Sequence, residues 1–206
     1  MRLMIAIPTM DTVPVPFLES LTALVRRLDR DGVDYAISIE NGTIVHMARE
    51  RLACEAISKR FDNVLWLDSD MVFTDAIFDD LRFSGKPFVS GIAHGRRSPF
   101  QSCLFKSIVL DKIERWKLEE YPTRTFEVAG CGFACVLIET AILKAVMERY
   151  GSAFNPLPNY GEDLSFCKRA TEMGYHIFAE PTVRLGHVGH LTIWPDDSER
   201  YRSELH

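Results

Sequence analysis

Two aspartates separated by a single residue are the first candidates for chemistry in this sequence. Asp68 and Asp70 follow a short apolar run at 64–67, which is typical of a buried strand. Side chains two residues apart leave the same face of an extended chain, so we expect both carboxylates to converge where that strand ends. Open α/β sheets form their ligand crevices at the carboxyl ends of their strands.

Converging carboxylates repel each other unless a cation lies between them. Their oxygens suit Mg²⁺ or Mn²⁺, ideally when the ion is shared with the phosphates of a substrate. The alternative is a polar turn in which Asp68 and Asp70 cap the next helix. Taken alone, the pair leaves both interpretations open.

Two further acids, Glu162 and Asp163, follow Gly161 in the first turn of a predicted helix. The helix dipole and the free amides favour acids there without any function. The functional alternative is a general base that points into a cleft. His187 follows Gly186 after a predicted strand, where it is either a structural residue or a metal ligand, and imidazole with carboxylates suits Mn²⁺.

The helix predicted after the turn at 40–42 carries Arg49 and Arg51, which we place off its buried face. Surface arginines are usually solvated. The alternative is that one of them reaches the acidic site or the phosphates of a ligand. Thr43 is the predicted N-cap, and the predicted buried face consists of Ile44, Ala48, Leu52 and Ala56.

Elements that place these residues follow from the apolar periodicity, which predicts β-α-β-α-β-α-β over residues 1–90. Such alternation implies right-handed crossovers and a largely parallel sheet with helices on its faces. A polar, basic loop at 91–99 follows, whose arginines either bind phosphate or face solvent. The rest is mixed, with predicted strands at 102–110, 125–128, 135–138, 176–179 and 183–185, and helices that begin near 139 and 161.

Composition is that of an ordinary globular protein of one domain. The chain has 206 residues, of which 47% are hydrophobic and 26% charged, enough for a sizeable core. A net charge of −5 argues against a nucleic-acid partner, because such proteins usually present a basic face. No apolar run is long enough for a transmembrane helix, so we do not expect an integral membrane protein. The first residues are predicted to form a strand and not a signal peptide.

Five cysteines are scattered along the chain, and none forms a CxxC motif. An odd number without such motifs fits reduced thiols, and we therefore expect a cytoplasmic protein. Cys131 and Cys135 lie in an apolar segment without further soft ligands nearby. We interpret them as small core residues and not as zinc ligands.

Taken together and in order, these features resemble the GT-A-type glycosyltransferases, enzymes that use nucleotide-diphosphate sugars. The resemblance covers nearly the whole chain. It implies an α/β fold with a GT-A-like (Rossmann-like), mixed but mostly parallel sheet flanked by helices. It rests on four segments: the first strand at 5–9, ending in Pro8 and Thr9; Leu67-Asp-Ser-Asp70, which looks like the D-x-D motif; Gly161-Glu-Asp163, which looks like the acidic E-D motif; and Leu185-Gly-His-Val-Gly189, which looks like the late metal-binding histidine.

The resemblance also implies roles for the acids and the histidine. Asp70 and His187 would bind Mn²⁺ or Mg²⁺, while Asp68 would support the metal through water or hold the ribose of the donor. In an inverting enzyme, Asp163 would take the proton of the acceptor hydroxyl, and Glu162 would orient the acceptor or the base. The metal would bridge the diphosphate and stabilise the charge that develops on the leaving nucleotide.

Further residues would form the donor site. Pro8 and Thr9 would line the nucleotide pocket, and the segment 129–132, including Gly130, would lie beneath the sugar and the acceptor. Arg49 joins this site if it reaches the phosphates. The implied donor is a UDP- or GDP-sugar, and the acceptor, whether glycan, lipid or protein, leaves no signature in the sequence.

The resemblance divides the single domain 1–206 into a nucleotide-sugar-binding half at 1–91, an acceptor and metal half at 92–190, and a charged tail at 191–206. A nucleotidyltransferase is the alternative enzyme. Its glycine-rich, basic loop after the first strand is missing here, since residues 8–14 contain neither glycine nor lysine. A catalytically degenerate sugar- or nucleotide-binding protein is the third hypothesis, against which the four acids count.

Overall fold

The computed structural model describes residues 1–10, 12–96, 99–109 and 112–189. Within these ranges the chain forms five α-helices, one 3₁₀ turn and twelve strands, several of them only two residues long. The helices are α1 (Val15–Arg30), α2 (Val45–Ser58), α3 (Ile77–Phe83), α4 (Thr140–Tyr150) and α5 (Glu162–Glu172). The strands are β1 (Arg2–Pro8), β2 (Asp34–Glu40), β3 (Asn63–Leu67), β4 (Met71–Val72), β5 (Phe88–Ile92), β6 (Leu104–Val109), β7 (Lys112–Arg115), β8 (Phe126–Val128), β9 (Gly130–Cys131), β10 (Cys135–Glu139), β11 (Ile177–Arg184) and β12 (Gly186–His187).

Seven strands form the main sheet in the order β2-β1-β3-β10-β5-β11-β8. Five of them run in one direction, whereas β10 and β8 run in the other. A three-stranded sheet, β7-β6-β9, and a two-stranded ribbon, β12-β4, complete the architecture. The prediction of an α/β fold with a mixed, mostly parallel sheet flanked by helices is confirmed.

Both faces of the main sheet are buried, and the alternation of side chains along its strands explains why. In β1, Leu3 and Ile5 pack on one side with α1 and α3, whereas Met4 and Ala6 pack on the other side with α2, α4 and α5. The second side holds a cluster of aromatic rings in mutual contact, namely Trp66, Phe88, Phe133, Phe154 and Phe166.

Some predicted boundaries were wrong. Strands predicted at 176–179 and 183–185 are one strand, β11, with an irregularity in its pairing between Ala179 and Arg184. Thr43 does not cap α2, because its hydroxyl donates to Met47 Sδ (3.8 Å) and Ile44 holds the cap position with an exposed side chain. The predicted tail at 191–206 lies outside the described residues.

The prediction that Cys131 and Cys135 are core residues is confirmed. All five cysteines are free thiols, and Cys131 and Cys135 are buried in the core. Among the described helices, none combines the length and the apolar character needed to cross a membrane.

Candidate active site

The candidate residues gather at one edge of the main sheet. Strands β1, β3, β5 and β11 run in the same direction, so their carboxyl ends meet there. The chain leaves β1 at Thr9, β3 at Asp68 and β11 towards His187. Antiparallel β10 starts at the same edge, since Cys135 pairs with Leu67.

The predicted extended geometry of Asp68 and Asp70 is wrong, although both residues line one cavity beyond β3. The amide of Met71 donates to the carbonyl of Asp68 (3.2 Å), which closes a turn over Ser69 and Asp70. Extended backbone therefore ends at Leu67, and the two carboxylates find different partners. The alternative prediction, helix capping, is wrong as well, because α3 begins later and has no side-chain cap.

Arg49 is the partner of Asp68. Its Nη2 donates to Asp68 Oδ1 (2.7 Å), its Nη1 lies 3.4 Å from Glu162 Oε1, and its guanidinium stacks on the Phe133 ring (5.3 Å from Cζ to the centroid). The residue is only 3% exposed. The expectation that Arg49 lies off the buried face was wrong, and the alternative, that an arginine of this helix reaches the acidic site, describes its position. Arg51 behaves as a surface arginine and pairs with Glu40.

One buried guanidinium is thus shared among several acids. Burial raises the pKa of Asp68, as do the neighbouring charges of Asp70 and Glu162, while Arg49 opposes the rise. Burial and Glu162 likewise raise the pKa of Asp163 against the effect of Arg49. The cluster therefore carries more negative than positive charge and favours either an additional cation or a carboxyl that holds a proton.

Asp163 lies in the first turn of α5. Its Oδ1 accepts a hydrogen bond from the amide of Leu164 (2.7 Å), and Gly161 precedes the helix without a side-chain cap. A Cβ built on Gly132 would lie 3.6 Å from Asp163 Oδ2 and 3.3 Å from Cys103 Cβ. The carboxylate is thus positioned by the helix and accommodated by a glycine.

Gly130 has a different environment from that glycine. It is buried, and a Cβ there would lie 3.1 Å from Leu164 Cδ2 and 3.3 Å from Cys167 Cβ. Gly130 therefore allows β9 to approach α5 closely, whereas Gly132 is the residue of the predicted segment that lies next to Asp163.

Asp70 and His187 are brought together by the ribbon of β4 and β12. In this ribbon His187 pairs with Met71, directly after Asp70, and the amide of Val188 donates to the Asp70 carbonyl (2.9 Å). His187 Nε2 lies 3.2 Å from Asp70 Oδ2. Arg96, from the basic loop, donates to the same carboxylate oxygen.

The protonation of this pair follows from its contacts. His187 Nδ1 lies 2.8 Å from the carbonyl oxygen of His94, which only accepts, so Nδ1 carries a proton. The hydrogen bond to Asp70 raises the pKa of His187 although burial opposes it. Burial would raise the pKa of Asp70, but the hydrogen bond and charge of His187, together with Arg96, lower it.

Two of the three predicted metal ligands, Asp70 and His187, lie next to each other and suit a divalent cation. Within the described ranges, no three His, Cys, Asp or Glu side chains are clustered closely enough to hold a metal. Asp68, predicted as a third ligand, is engaged by Arg49 instead. Asp70 and His187 offer one carboxylate and one imidazole whose Nε2 is oriented by the bond at Nδ1, which suits an ion that keeps several sites for substrate oxygens and water.

A small cavity of about 180 Å³ adjoins this pair. Pro8 and Thr9 line it together with Asp68 and Asp70. The hydroxyl of Thr9 is buried and has no hydrogen-bond partner among the described residues. A ligand with polar atoms would satisfy it.

Sequence reasoning missed two contributors to this site. Arg96 of the basic loop at 91–99 pairs with Asp70, and the carbonyl of His94 accepts from His187; no sequence pattern predicts either contact. Such contacts depend on where a loop returns to the sheet, which periodicity does not reveal. Arg97 of the same loop lies outside the described residues.

Comparisons with known proteins support the architecture. No protein-family model matches this chain, and no curated protein matches its sequence. Among solved structures, it is similar to A197 from STIV, with a TM-score of 0.63 and 22% identity over 92% of this chain and 87% of that one. It is also similar to a protein from Bacillus anthracis, named as a glucose-1-phosphate thymidylyltransferase and crystallised with sucrose, with a TM-score of 0.50 and 10% identity over 91% and 88% of the two chains. At these identities the likeness shows that the chain shares its fold with both proteins.

Proposed function

We propose that this protein is a metal-dependent glycosyltransferase that transfers a sugar from a nucleotide-diphosphate sugar, a UDP- or GDP-sugar, to an acceptor hydroxyl. The observation that carries the proposal is the pairing of Asp70 with His187 beside the cavity formed by Pro8, Thr9 and Asp68. A transferase of nucleotide sugars needs a nucleotide pocket, a site for the diphosphate charge and a base. All three are supported by neighbouring side chains at one sheet edge.

Each side chain has a task in this proposal. Asp70 and His187 would hold Mn²⁺ or Mg²⁺, which would neutralise charge on the diphosphate when bound. Asp68, fixed by Arg49, presents its remaining oxygen to the donor. Asp163 accepts the proton of the acceptor hydroxyl, a role for which a raised pKa is favourable because the base then binds the proton more strongly.

Titration calorimetry with UDP, GDP, CDP and ADP, each with Mn²⁺ or with a chelator, tests the proposal. We expect one nucleotide to bind in the presence of Mn²⁺ and to lose at least about tenfold in affinity with the chelator. Asp70→Asn removes one ligand charge and should abolish the metal-dependent part while circular dichroism stays unchanged. Failure of every nucleotide to bind to a folded sample would reject the proposal in favour of a degenerate binding module.

A nucleotidyltransferase is the second candidate, because the similar protein from Bacillus anthracis is named as one. Such an enzyme joins a nucleoside triphosphate to a sugar phosphate and releases pyrophosphate. The stretch after β1 counts against it, since residues 8–14 provide no glycine or lysine for a triphosphate. Pyrophosphate release from a triphosphate and a sugar 1-phosphate would favour this candidate over the glycosyltransferase.

A further inference from the structure

A groove of about 720 Å³, much larger than the cavity at Thr9, opens between the β6–β7 hairpin and the end of β11. Its lining combines basic, aromatic and hydroxyl side chains, and the roles proposed above use none of them. The lining residues that matter here are Phe100, Ser102, Arg115, Lys117 and Arg184.

Three cations line this groove in a protein of net charge −5. Within the described residues, no carboxylate lies within 4.0 Å of the charged groups of Arg115, Lys117 or Arg184, although Arg96 and Arg49 nearby are paired with acids. Arg115 is held in place, because its Nη1 donates to the Ser102 carbonyl (2.5 Å) and its guanidinium lies over the Phe105 ring. Cations without a direct acidic partner in a concave site attract an anionic ligand.

Phe100 provides a second, independent observation. Its side chain is 55% exposed, and its φ of +51° lies in the left-handed region that non-glycine residues rarely adopt. It lines both the large groove and a cavity of about 400 Å³ that contains His187. Strained backbone that presents an aromatic ring at the junction of two cavities is typical of a ligand contact.

The groove shares lining residues with a cavity that reaches the proposed metal ligand His187. Another cavity, of about 440 Å³, shares Arg115 with the groove and also contains His187 and Cys103. Cys103 in turn packs against Gly132, which lies next to Asp163. A ligand that extends from the groove into this cavity would approach His187.

We propose that this groove is the acceptor subsite and that it selects a saccharide carrying an acidic group, a carboxylate or a phosphate. The sugar ring packs against Phe100, and the acidic group bonds to Arg115, Lys117 and Arg184. This inference rests on the proposed glycosyltransferase function and adds the chemical class of its acceptor.

The test is ligand-detected NMR titration with three probes that differ at one position: methyl β-glucoside, methyl β-glucuronide and methyl β-glucoside 6-phosphate. We expect both anionic glycosides to bind at least about tenfold more tightly than the neutral one, with the preference declining as salt rises. The two anionic probes distinguish carboxylate from phosphate as the preferred group. Inorganic phosphate alone should bind more weakly than the 6-phosphate, because it lacks the ring.

Variants separate the groove from general charge effects. The double variant Lys117→Gln/Arg184→Gln should reduce the preference for anionic probes to less than about threefold. The control, Arg30→Gln/Lys144→Gln, removes the same charge from exposed positions elsewhere and should keep the preference. Phe100→Ala should weaken all three glycosides alike.

Equal binding of the three probes, or an unchanged preference in the Lys117/Arg184 double variant, would overturn the inference. If inorganic phosphate binds as tightly as the glucoside 6-phosphate, the inference that the groove recognises the sugar ring is wrong. Calorimetry with nucleoside diphosphate and Mn²⁺ on the same variants separates this result from the proposed function. Intact nucleotide binding without probe discrimination rejects the acceptor inference alone. Probe discrimination without nucleotide binding rejects the transferase, and with it the acceptor role, and leaves the groove as a binding site for acidic saccharides.

Discussion

Arg49 is the residue on which the acidic edge of the sheet depends. It is buried with two carboxylates and an aromatic ring around its guanidinium, and its Nε and Nη1 have no hydrogen bond among the described residues. Arg49 thereby opposes the protonation of these acids that burial favours. It also restricts where Asp68 can point.

Replacing Arg49 with Met should cost roughly 3 kcal/mol of unfolding free energy, because it leaves Asp68 and Glu162 without a counter-charge. Urea denaturation measures this. The matched control is Arg51→Gln, two positions along the same helix, where the exposed pair with Glu40 should contribute less than about 1 kcal/mol. Equal losses in the two variants would contradict the role of Arg49.

Asp163→Asn should remove activity and yet stabilise the fold at neutral pH. Burial and Glu162 raise the pKa of the carboxyl in the folded state, so ionisation costs more in the fold than in the unfolded chain. The destabilisation is absent below the unfolded pKa and complete above the folded one. We therefore expect a higher Tm for the variant at pH 7, and the difference should shrink as pH falls towards 3.

The same raised pKa sets the pH dependence of catalysis. The base works only when ionised, so kcat/KM should fall as pH drops through a value above the ordinary pKa of an aspartate. Removing the base should reduce kcat roughly 10²- to 10⁴-fold. If kcat/KM does not fall at low pH, or if the Asp163→Asn variant retains activity, another residue is the base.

At the scale of elements, the ribbon of β4 and β12 brings Asp70 and His187, the proposed metal ligands, together. Each strand contributes only two residues, too few for any periodicity in the sequence. The adjacency of Asp70 and His187 could therefore be expected only from the family resemblance. The longer elements, such as β3 and α5, carry apolar repeats and were predicted within a few residues. The prediction that Arg49 lies off the buried face was wrong, because the sequence does not show the buried acids with which a charged helical residue pairs.

Gly91→Ala tests the strand that leads into this ribbon. A Cβ at position 91 would lie 2.7 Å from Val183 Cγ1, 2.8 Å from Leu185 Cδ1 and 3.2 Å from the Val183 carbonyl oxygen, so these side chains or the end of β11 must shift. We expect a loss of about 1–3 kcal/mol in stability and weaker Mn²⁺-dependent nucleotide binding, because the shift is transmitted to His187. Gly95→Ala is the control, since its Cβ would meet only an ordinary contact at 3.7 Å. A stable Gly91→Ala variant with normal binding would contradict this coupling.

At the scale of the whole molecule, the order of strands differs from their order along the chain. The alternation over residues 1–90 correctly predicted parallel neighbours for β1, but it gave no indication that β10 separates β3 from β5. Sequence patterns identify which face of a strand is buried, whereas neighbours in a sheet are chosen by long-range contacts. The fold class was therefore predictable and the strand order was not.

Ligand binding at this sheet edge should stabilise the entire fold. A nucleotide at 100 times its Kd adds about 2.7 kcal/mol to the unfolding free energy, which for a chain of this size raises Tm by roughly 5–10 °C. Thermal unfolding of the protein with nucleotide and Mn²⁺ should show this shift in Tm, and unfolding with nucleotide and a chelator should not. A shift that is independent of metal would place the nucleotide away from Asp70 and His187.

The central place of β10 has a consequence for synthesis on the ribosome. Residues 63–67 and 88–92 emerge early, but the strand that joins them, Cys135–Glu139, emerges more than forty residues after the second of them. Until then two apolar strands lack the partner that covers their backbone groups, and non-local pairing of this kind is slow. The nascent chain therefore passes through an interval with open sheet edges, in which chaperone binding or slow translation would favour correct assembly over aggregation.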